Sequence, residues 1–167
     1  MAMILIGVGS NIPGPQGATP RQNCHNALKL LEDSGVTITR RSRWYRSAPV
    51  PPSDQPWFIN GVVAVEAAGL EPEPLLECLH QIELEFGRRR SHPNAPRPLD
   101  LDILDFDGRI TAPDAAVVLP HPRMHQRAFV LMPLSEIAPE WRHPVIGDTV
   151  FDLIAALPDD QFIEPVP

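Results

Sequence analysis

The sequence predicts an α+β fold in one domain spanning 1–167, a mostly antiparallel sheet with two helices on one face and two short helices added after the core motif. Three observations predict it. Strand-like apolar runs and helical stripes follow one another in the order strand, helix, strand, strand, helix, strand. A chain of 167 residues has the length of one core, since domains typically run ~100–150 residues. Finally, 43% hydrophobic and 21% charged residues are globular values that disfavour disorder, collagen and coiled coil.

Met3 to Val8 is a short apolar run ending in Gly7-Val8-Gly9-Ser10-Asn11, a buried strand entering a turn. Thr19-Pro20-Arg21-Gln22 opens a helix, with threonine as N-cap, proline at the first position and glutamine placed for a capping box. Cys24, Ala27, Leu28 and Leu31 give it one apolar stripe, and Gly35 ends it. Val36 to Tyr45 starts with a β-branched series and predicts a strand, returned by a second strand over Phe58 to Ala67. The proline-rich stretch Ala48 to Pro56 between them is a rigid loop, free to cover a ligand.

Pro72 to Phe86 predicts the second helix, with Leu75, Leu79, Ile82 and Phe86 on one face and Gly87 as its stop. Arg88 to Pro98 is a loop. Leu99 to Leu104 alternates apolar and acidic residues as a strand, and Asp107-Gly108 suits a hairpin turn into Arg109-Ile110-Thr111. Arg127 to Ile137 and Thr149 to Leu157 predict the two added helices. The order up to that point is the split β-α-β arrangement, βαββαβ, of ferredoxin-like folds.

Composition also narrows the function. No window approaches the ~18 apolar residues of a membrane span, and the N-terminal run lacks a basic flank, so a cytoplasmic protein is expected. Cys24 and Cys78 sit in helical patterns far from metal or redox spacing and read as reduced, buried thiols. The net charge is −7, yet 13 of the 14 basic residues are arginine, clustered at Arg40-Arg41-Arg43-Arg46 and Arg88-Arg89-Arg90-Arg97. Arginine's planar fork binds phosphate and carboxylate bidentately, which in an acidic chain suggests a local anion site rather than a basic face for duplex nucleic acid, although for Arg40 to Arg43 a solvated strand surface is the better reading. An RNA-binding sheet would also need an aromatic-rich Gly-Phe-x-Phe-Val type motif, which is absent. A partner-binding domain without activity is the remaining rival class.

Asp100 and Asp102 stand at i, i+2 on a strand, so both carboxylates project from one face, with Cα atoms roughly 6–7 Å apart. Like charges so placed are tolerable when divalent ions sit between them, and oxygen-only ligands favour Mg²⁺, which takes substrate phosphates as further ligands. An ordinary solvated strand face would look the same. The arginine loop immediately before the strand favours the metal reading, because phosphoryl transfer needs metals and arginines on the same charged oxygens. Gly7-x-Gly9 lacks the third glycine of a dinucleotide fingerprint, and Gly14 to Pro20 lacks the Gly-Lys-Ser/Thr ending of a P-loop. The histidines have no zinc spacing, although His121 is held between Pro120 and Pro122.

Together these residues resemble the 6-hydroxymethyl-7,8-dihydropterin pyrophosphokinases of folate biosynthesis. The resemblance runs through Gly9-Ser10-Asn11, Tyr45-Arg46-Ser47, Asp54-Gln55-Pro56, Phe58-Ile59-Asn60, Gly87-Arg88-x-Arg90, Pro96-Arg97-x-Leu99-Asp100-Leu101-Asp102-Ile103 and Pro120-His121-Pro122-Arg123-Met124. It continues through Arg127-x-Phe129-Val130-Leu131 to Pro139. The family moves pyrophosphate from ATP onto a pterin hydroxymethyl group and releases AMP. The resemblance implies that Asp100 and Asp102 hold two Mg²⁺ ions and that Asp100 also faces the pterin. It implies catalytic roles for Arg88, Arg97 and Asp102, and ATP contacts from Glu83, Arg88, Arg90, Arg97, Ile103, His121 and Arg127. Pterin would lie between Phe58 and Phe129, with Asn60 on its polar edge and Ser47, Ala48 and Val50 alongside. Asn94 departs from the pattern, since many members carry a tryptophan there. A monomer working on small molecules is expected, with no nucleic acid or membrane partner.

Overall fold

The computed structural model describes residues 3–88 and 92–167; Arg89 and Arg90 lie outside the described residues. Strand β1 (Ile4–Ser10) pairs antiparallel with β4 (Phe58–Glu66) on one side and β5 (Asp100–Phe106) on the other. Strands β2 (Thr37–Arg41) and β3 (Tyr45–Ser47) both pair antiparallel with β4, and β6 (Ile163–Pro165) pairs with β3. The sheet order is β5-β1-β4-β3-β6, with β2 on β4. Helices α1 (Pro20–Asp33) and α2 (Pro72–Glu85) complete the βαββαβ core.

β1 reads as a continuous apolar run because it is covered on both sides, as buried central strands are. Ile4, Ile6 and Val8 pack with Cys24, Leu28 and Leu31 of α1 and Leu75, Leu79 and Ile82 of α2. Leu5 points the other way, joining Val62, Ala64 and Leu104 against Leu131 and Leu134 of α3 (Ala128–Ile137) and Leu153 of α4 (Val150–Ala155). The added helices therefore form a third layer on the opposite face of the sheet.

The α1 capping box is complete. Thr19 Oγ1 accepts from the Gln22 amide at 3.2 Å, and Gln22 Oε1 accepts from the Thr19 amide at 2.9 Å. Gly35 follows the helix at φ +96, a conformation L side chains resist.

Two strand expectations need correction. The run from Val36 to Tyr45 is not one strand: it breaks after Arg41 and resumes as β3. At the break Ser42 exchanges its backbone amide and its hydroxyl with the Val62 carbonyl and amide, each at 3.0 Å. Trp44 closes over Gly61, where a Cβ would come within 2.7 Å of the indole. The restart matters because it sets Ser47 opposite Phe58 and Tyr45 opposite Asn60. The Asp107-Gly108 turn forms, at φ +54 and +70, but Arg109 to Thr111 do not return as a strand. The outer edge of β5 is used instead by the His121 amide, which donates to the Leu104 carbonyl at 2.8 Å. Strand β6, with three residues and a proline, carries no strand signal in the sequence.

Candidate active site

The C-terminal end of β1 and the N-terminal ends of β4 and β5 meet at one end of the sheet, with Ser10 opposite Ile59 and Gly9 opposite Asp100. On β4 and β5 the side chains alternate. Leu101 and Ile103 point into the α1–α2 core, which turns Asp100 and Asp102 to the α3 side. Val62 and Ala64 pack toward α3, which likewise turns Phe58 and Asn60 to that side. A cavity of about 460 Å³ lies there. Asp100, Asp102, Arg88 and Arg97 line it together with Ala48, Val50, Phe58, Asn60, His121, Arg127 and Phe129.

The charges are arranged in tiers. Buried Glu83 accepts through Oε2 from Arg88 at 2.5 Å and from the Leu101 amide at 2.9 Å, fixing the start of β5 to α2. Arg88 also donates to Asp100 at 2.6 Å and to the Leu99 carbonyl at 3.3 Å. Arg97 reaches the second Asp100 oxygen at 3.4 Å and is oriented by its Nε on the Ala95 carbonyl at 2.9 Å. Asp100 is thus paired twice, whereas among the described residues no ion pair reaches Asp102. Burial, then the negative charges of Asp100 and Glu83, push the Asp102 carboxyl up to about 7; Arg127 and Arg88 oppose this. A half-buried acid beside two other carboxylates suits a hard divalent cation. Among the described residues no group of three or more histidine, cysteine or acidic side chains is set to hold a metal, so a cation on Asp100 and Asp102 would complete its shell with other oxygens.

His121, in the same cavity, stays neutral. Burial, with Arg127 and Arg123 nearby, lowers its pKa to about 4. Its Nδ1 accepts from the Arg123 amide at 3.1 Å, which leaves the ring proton on Nε2 as a donor. Each aromatic face carries a guanidinium: Arg97 lies 5.5 Å from the Phe58 centroid and Arg127 lies 5.2 Å from that of Phe129. Asn60, 5% exposed, donates through Nδ2 to Ser47 Oγ at 2.6 Å, leaving Oδ1 as an acceptor facing Gly9.

The predicted residues therefore separate. Ala48, Val50, Phe58, Asn60, Arg88, Arg97, Asp100, Asp102, His121, Arg127 and Phe129 line the cavity together. Glu83 and Ser47 stand behind it, holding Arg88 and Asn60. Ile103 does not line it; its side chain is 4% exposed in the α1–α2 core, because strand alternation sends it away from the aspartates. Arg90 lies outside the described residues.

Sequence reasoning missed Asn11, Gln55 and Arg123. Asn11 Nδ2 donates to Gln55 Oε1 at 2.7 Å and to the Pro56 carbonyl at 3.0 Å, while its Oδ1 accepts from the Arg97 amide at 2.9 Å. Gln55 Nε2 donates onward to the Asn94 carbonyl at 3.0 Å. One buried amide thus ties the proline-rich loop to the arginine loop. Asn94 sits at φ +62, a region asparagine tolerates far better than a bulky aromatic. The only sequence signal for these residues is their place inside the family-like segments.

A family model described as 7,8-dihydro-6-hydroxymethylpterin-pyrophosphokinase (HPPK) matches residues 5–139. Curated relatives named 2-amino-4-hydroxy-6-hydroxymethyldihydropteridine pyrophosphokinase include one from Methylorubrum extorquens, 38% identical over 166 residues, 99% of each chain. One from Pseudomonas aeruginosa is 41% identical over 93% of this chain and 91% of its own, and one from Synechocystis sp. is 42% identical over 90% and 73%. Among solved structures, the wild-type HPPK-DHPS of Plasmodium falciparum with STZ-DHP aligns at a TM-score of 0.70 and 14% identity. That alignment covers 92% of this chain and 43% of that one, and it supports the fold alone.

Proposed function

The chain belongs to the 7,8-dihydro-6-hydroxymethylpterin-pyrophosphokinase family, and from that premise we propose how its own residues divide the work. The reaction transfers pyrophosphate from ATP to the hydroxymethyl group of 6-hydroxymethyl-7,8-dihydropterin in folate biosynthesis, with AMP as the other product. Its substrates are the small molecules ATP and a dihydropterin.

Pterin lies between Phe58 and Phe129, where offset stacking suits a flat heterocycle, and Asn60 Oδ1 accepts from its polar edge. Ser47 keeps that amide from rotating. ATP lies along the charged lining: Arg88 and Arg97 meet the transferred phosphates, Arg127 and the His121 Nε2 proton the remainder of the nucleotide. Glu83 serves ATP indirectly, by fixing Arg88. Asp100 and Asp102 would hold two Mg²⁺ ions, which when bound neutralise charge on the phosphates and on the attacking oxygen.

Attack of the hydroxymethyl oxygen on the β-phosphorus forms one P–O bond as the bond to the departing AMP oxygen breaks, and the hydroxyl proton passes to Asp102 or to a water. The chain's contribution is position and charge: the stacked ring fixes the nucleophile, and the arginine forks follow negative charge onto the phosphoryl oxygens. Arg97 and Arg127 must leave the aromatic faces they cover for both substrates to enter.

The observation that carries this reading is the paired Asp100 and Asp102 under Arg88 and Arg97, facing two aromatics and an amide in one cavity. Incubation with ATP, Mg²⁺ and 6-hydroxymethyl-7,8-dihydropterin is expected to yield AMP only when the pterin is present, with loss in Asp100→Ala/Asp102→Ala. ADP as the product, or no turnover by a folded sample, overturns it.

A further inference from the structure

Gln161 lies in the C-terminal tail, outside every motif of the sequence. Its side-chain amide straddles Arg127: Nε2 donates to the Gln126 carbonyl at 2.8 Å, and Oε1 accepts from the Ala128 amide at 2.8 Å. A carbonyl needs a donor and an N–H an acceptor, so the orientation of the amide is forced. Arg127 is the N-cap of α3 and makes no side-chain cap hydrogen bond, and the first helical N–H, that of Ala128, has no intrahelical partner. Gln161 supplies that partner from 33 residues away.

The next residue reaches Ala48, another lining residue of the cavity. The Phe162 carbonyl accepts from the Ala48 amide at 3.0 Å, and β6 then sets Ile163 opposite Ser47. One short tail therefore joins the peptides flanking Arg127, at the start of α3, to Ser47 at the end of β3 and to Ala48, which lines the cavity.

We propose that Gln161 is a positioning residue for the reaction: its clamp on both peptide groups flanking Arg127 sets where that guanidinium and the α3 N-terminus bearing Phe129 stand relative to the substrates. The inference rests on the assignment of Arg127 to ATP and Phe129 to pterin. Gln161 itself does not line the cavity, so its removal disturbs binding without deleting a substrate contact.

The test is steady-state AMP formation by the full chain carrying Gln161→Ala, Gln161→Met, Arg127→Ala and Gln161→Ala/Arg127→Ala. Methionine keeps the length of the side chain and loses both hydrogen bonds, which separates clamping from packing and substitutes for the alanine variant should that fold poorly. Both single Gln161 variants should raise KM for ATP roughly tenfold, within what a small misplacement of a binding group costs. The double variant should bind ATP no worse than Arg127→Ala alone, because the clamp acts through that arginine. Wild-type kinetics in Gln161→Met, or independent multiplying effects in the double variant, overturn the inference while leaving the role of Arg127 intact. An Arg127→Ala enzyme with normal KM for ATP removes that role, and the inference with it.

Discussion

Arg88 and Asp100 are joined at 2.6 Å through the same guanidinium nitrogen that lies 2.5 Å from Glu83. A carboxylate proposed to bind metal is thus tied to a buried carboxylate on α2 through one arginine, and the start of β5 hangs on that tie. Glu83→Ala removes the acceptor for the Leu101 amide and the anchor of Arg88 together. It should lower stability by about 2–4 kcal/mol and turnover more than tenfold, read by thermal melting and AMP formation. Glu83→Gln keeps an acceptor for Leu101 and should regain part of the stability but little of the turnover. Wild-type melting and turnover in Glu83→Ala would remove Glu83 from the support of the site.

Arg97 lies over Phe58 and beside Asp100, so its two proposed duties pull in different kinetic directions. Arg97→Ala should lower kcat roughly 10²–10³-fold, as loss of one donor to developing charge does. KM for the pterin should stay level or fall, because the Phe58 face is uncovered. Arg97→Lys should recover only part of the rate, since a point charge replaces a planar fork. Near-normal turnover in Arg97→Ala would defeat its assigned role.

The Asp102 carboxyl, raised to about 7, has a definite sign in stability. Its folded pKa exceeds the unfolded value, so between about 4 and 7 the folded chain binds more protons, and stability falls as pH rises through that window. In EDTA, Asp102→Asn should therefore melt close to wild type at pH 4 and above it at pH 8, the gap opening through that window. The stabilisation given by Mg²⁺ with a non-hydrolysable ATP analogue should grow over the same window in wild type, because cation and proton compete for the carboxylate. A melting difference that does not change with pH would contradict the burial of Asp102 among like charges.

The parts of this molecule that were legible in sequence are those whose cause is local. The Thr19-Gln22 box, the i, i+2 aspartates and the glycine after each core helix announce themselves within a few residues. Much of the site was also legible, because alternation on β5 fixes where Asp100 and Asp102 point once the strand is known. That alternation, applied strictly, would also have excluded the Ile103 side chain. What stayed hidden depends on distant partners: the break at Ser42 needs Val62 and Gly61, and β6 exists only because β3 offers an edge. The Asn11 and Gln161 amides act on backbone far away in sequence, and no spacing rule encodes that.

Gly9 tests the pterin subsite from behind. A Cβ there would stand 2.7 Å from Asn60 Oδ1, and Asn60 is held at its other end by Ser47. The amide of Asn60 is therefore confined between a bare backbone and a hydroxyl, and its acceptor cannot retreat without breaking the 2.6 Å bond. Gly9→Ala should displace that acceptor and raise KM for the pterin roughly tenfold, about the effect of losing one hydrogen bond, with KM for ATP much less affected. Ser47→Ala relieves the far end and should soften the penalty in the double variant, a coupling expected of residues that share one partner. If Gly9→Ala folded and bound pterin normally, the Asn60 amide would not be what recognises the ring edge.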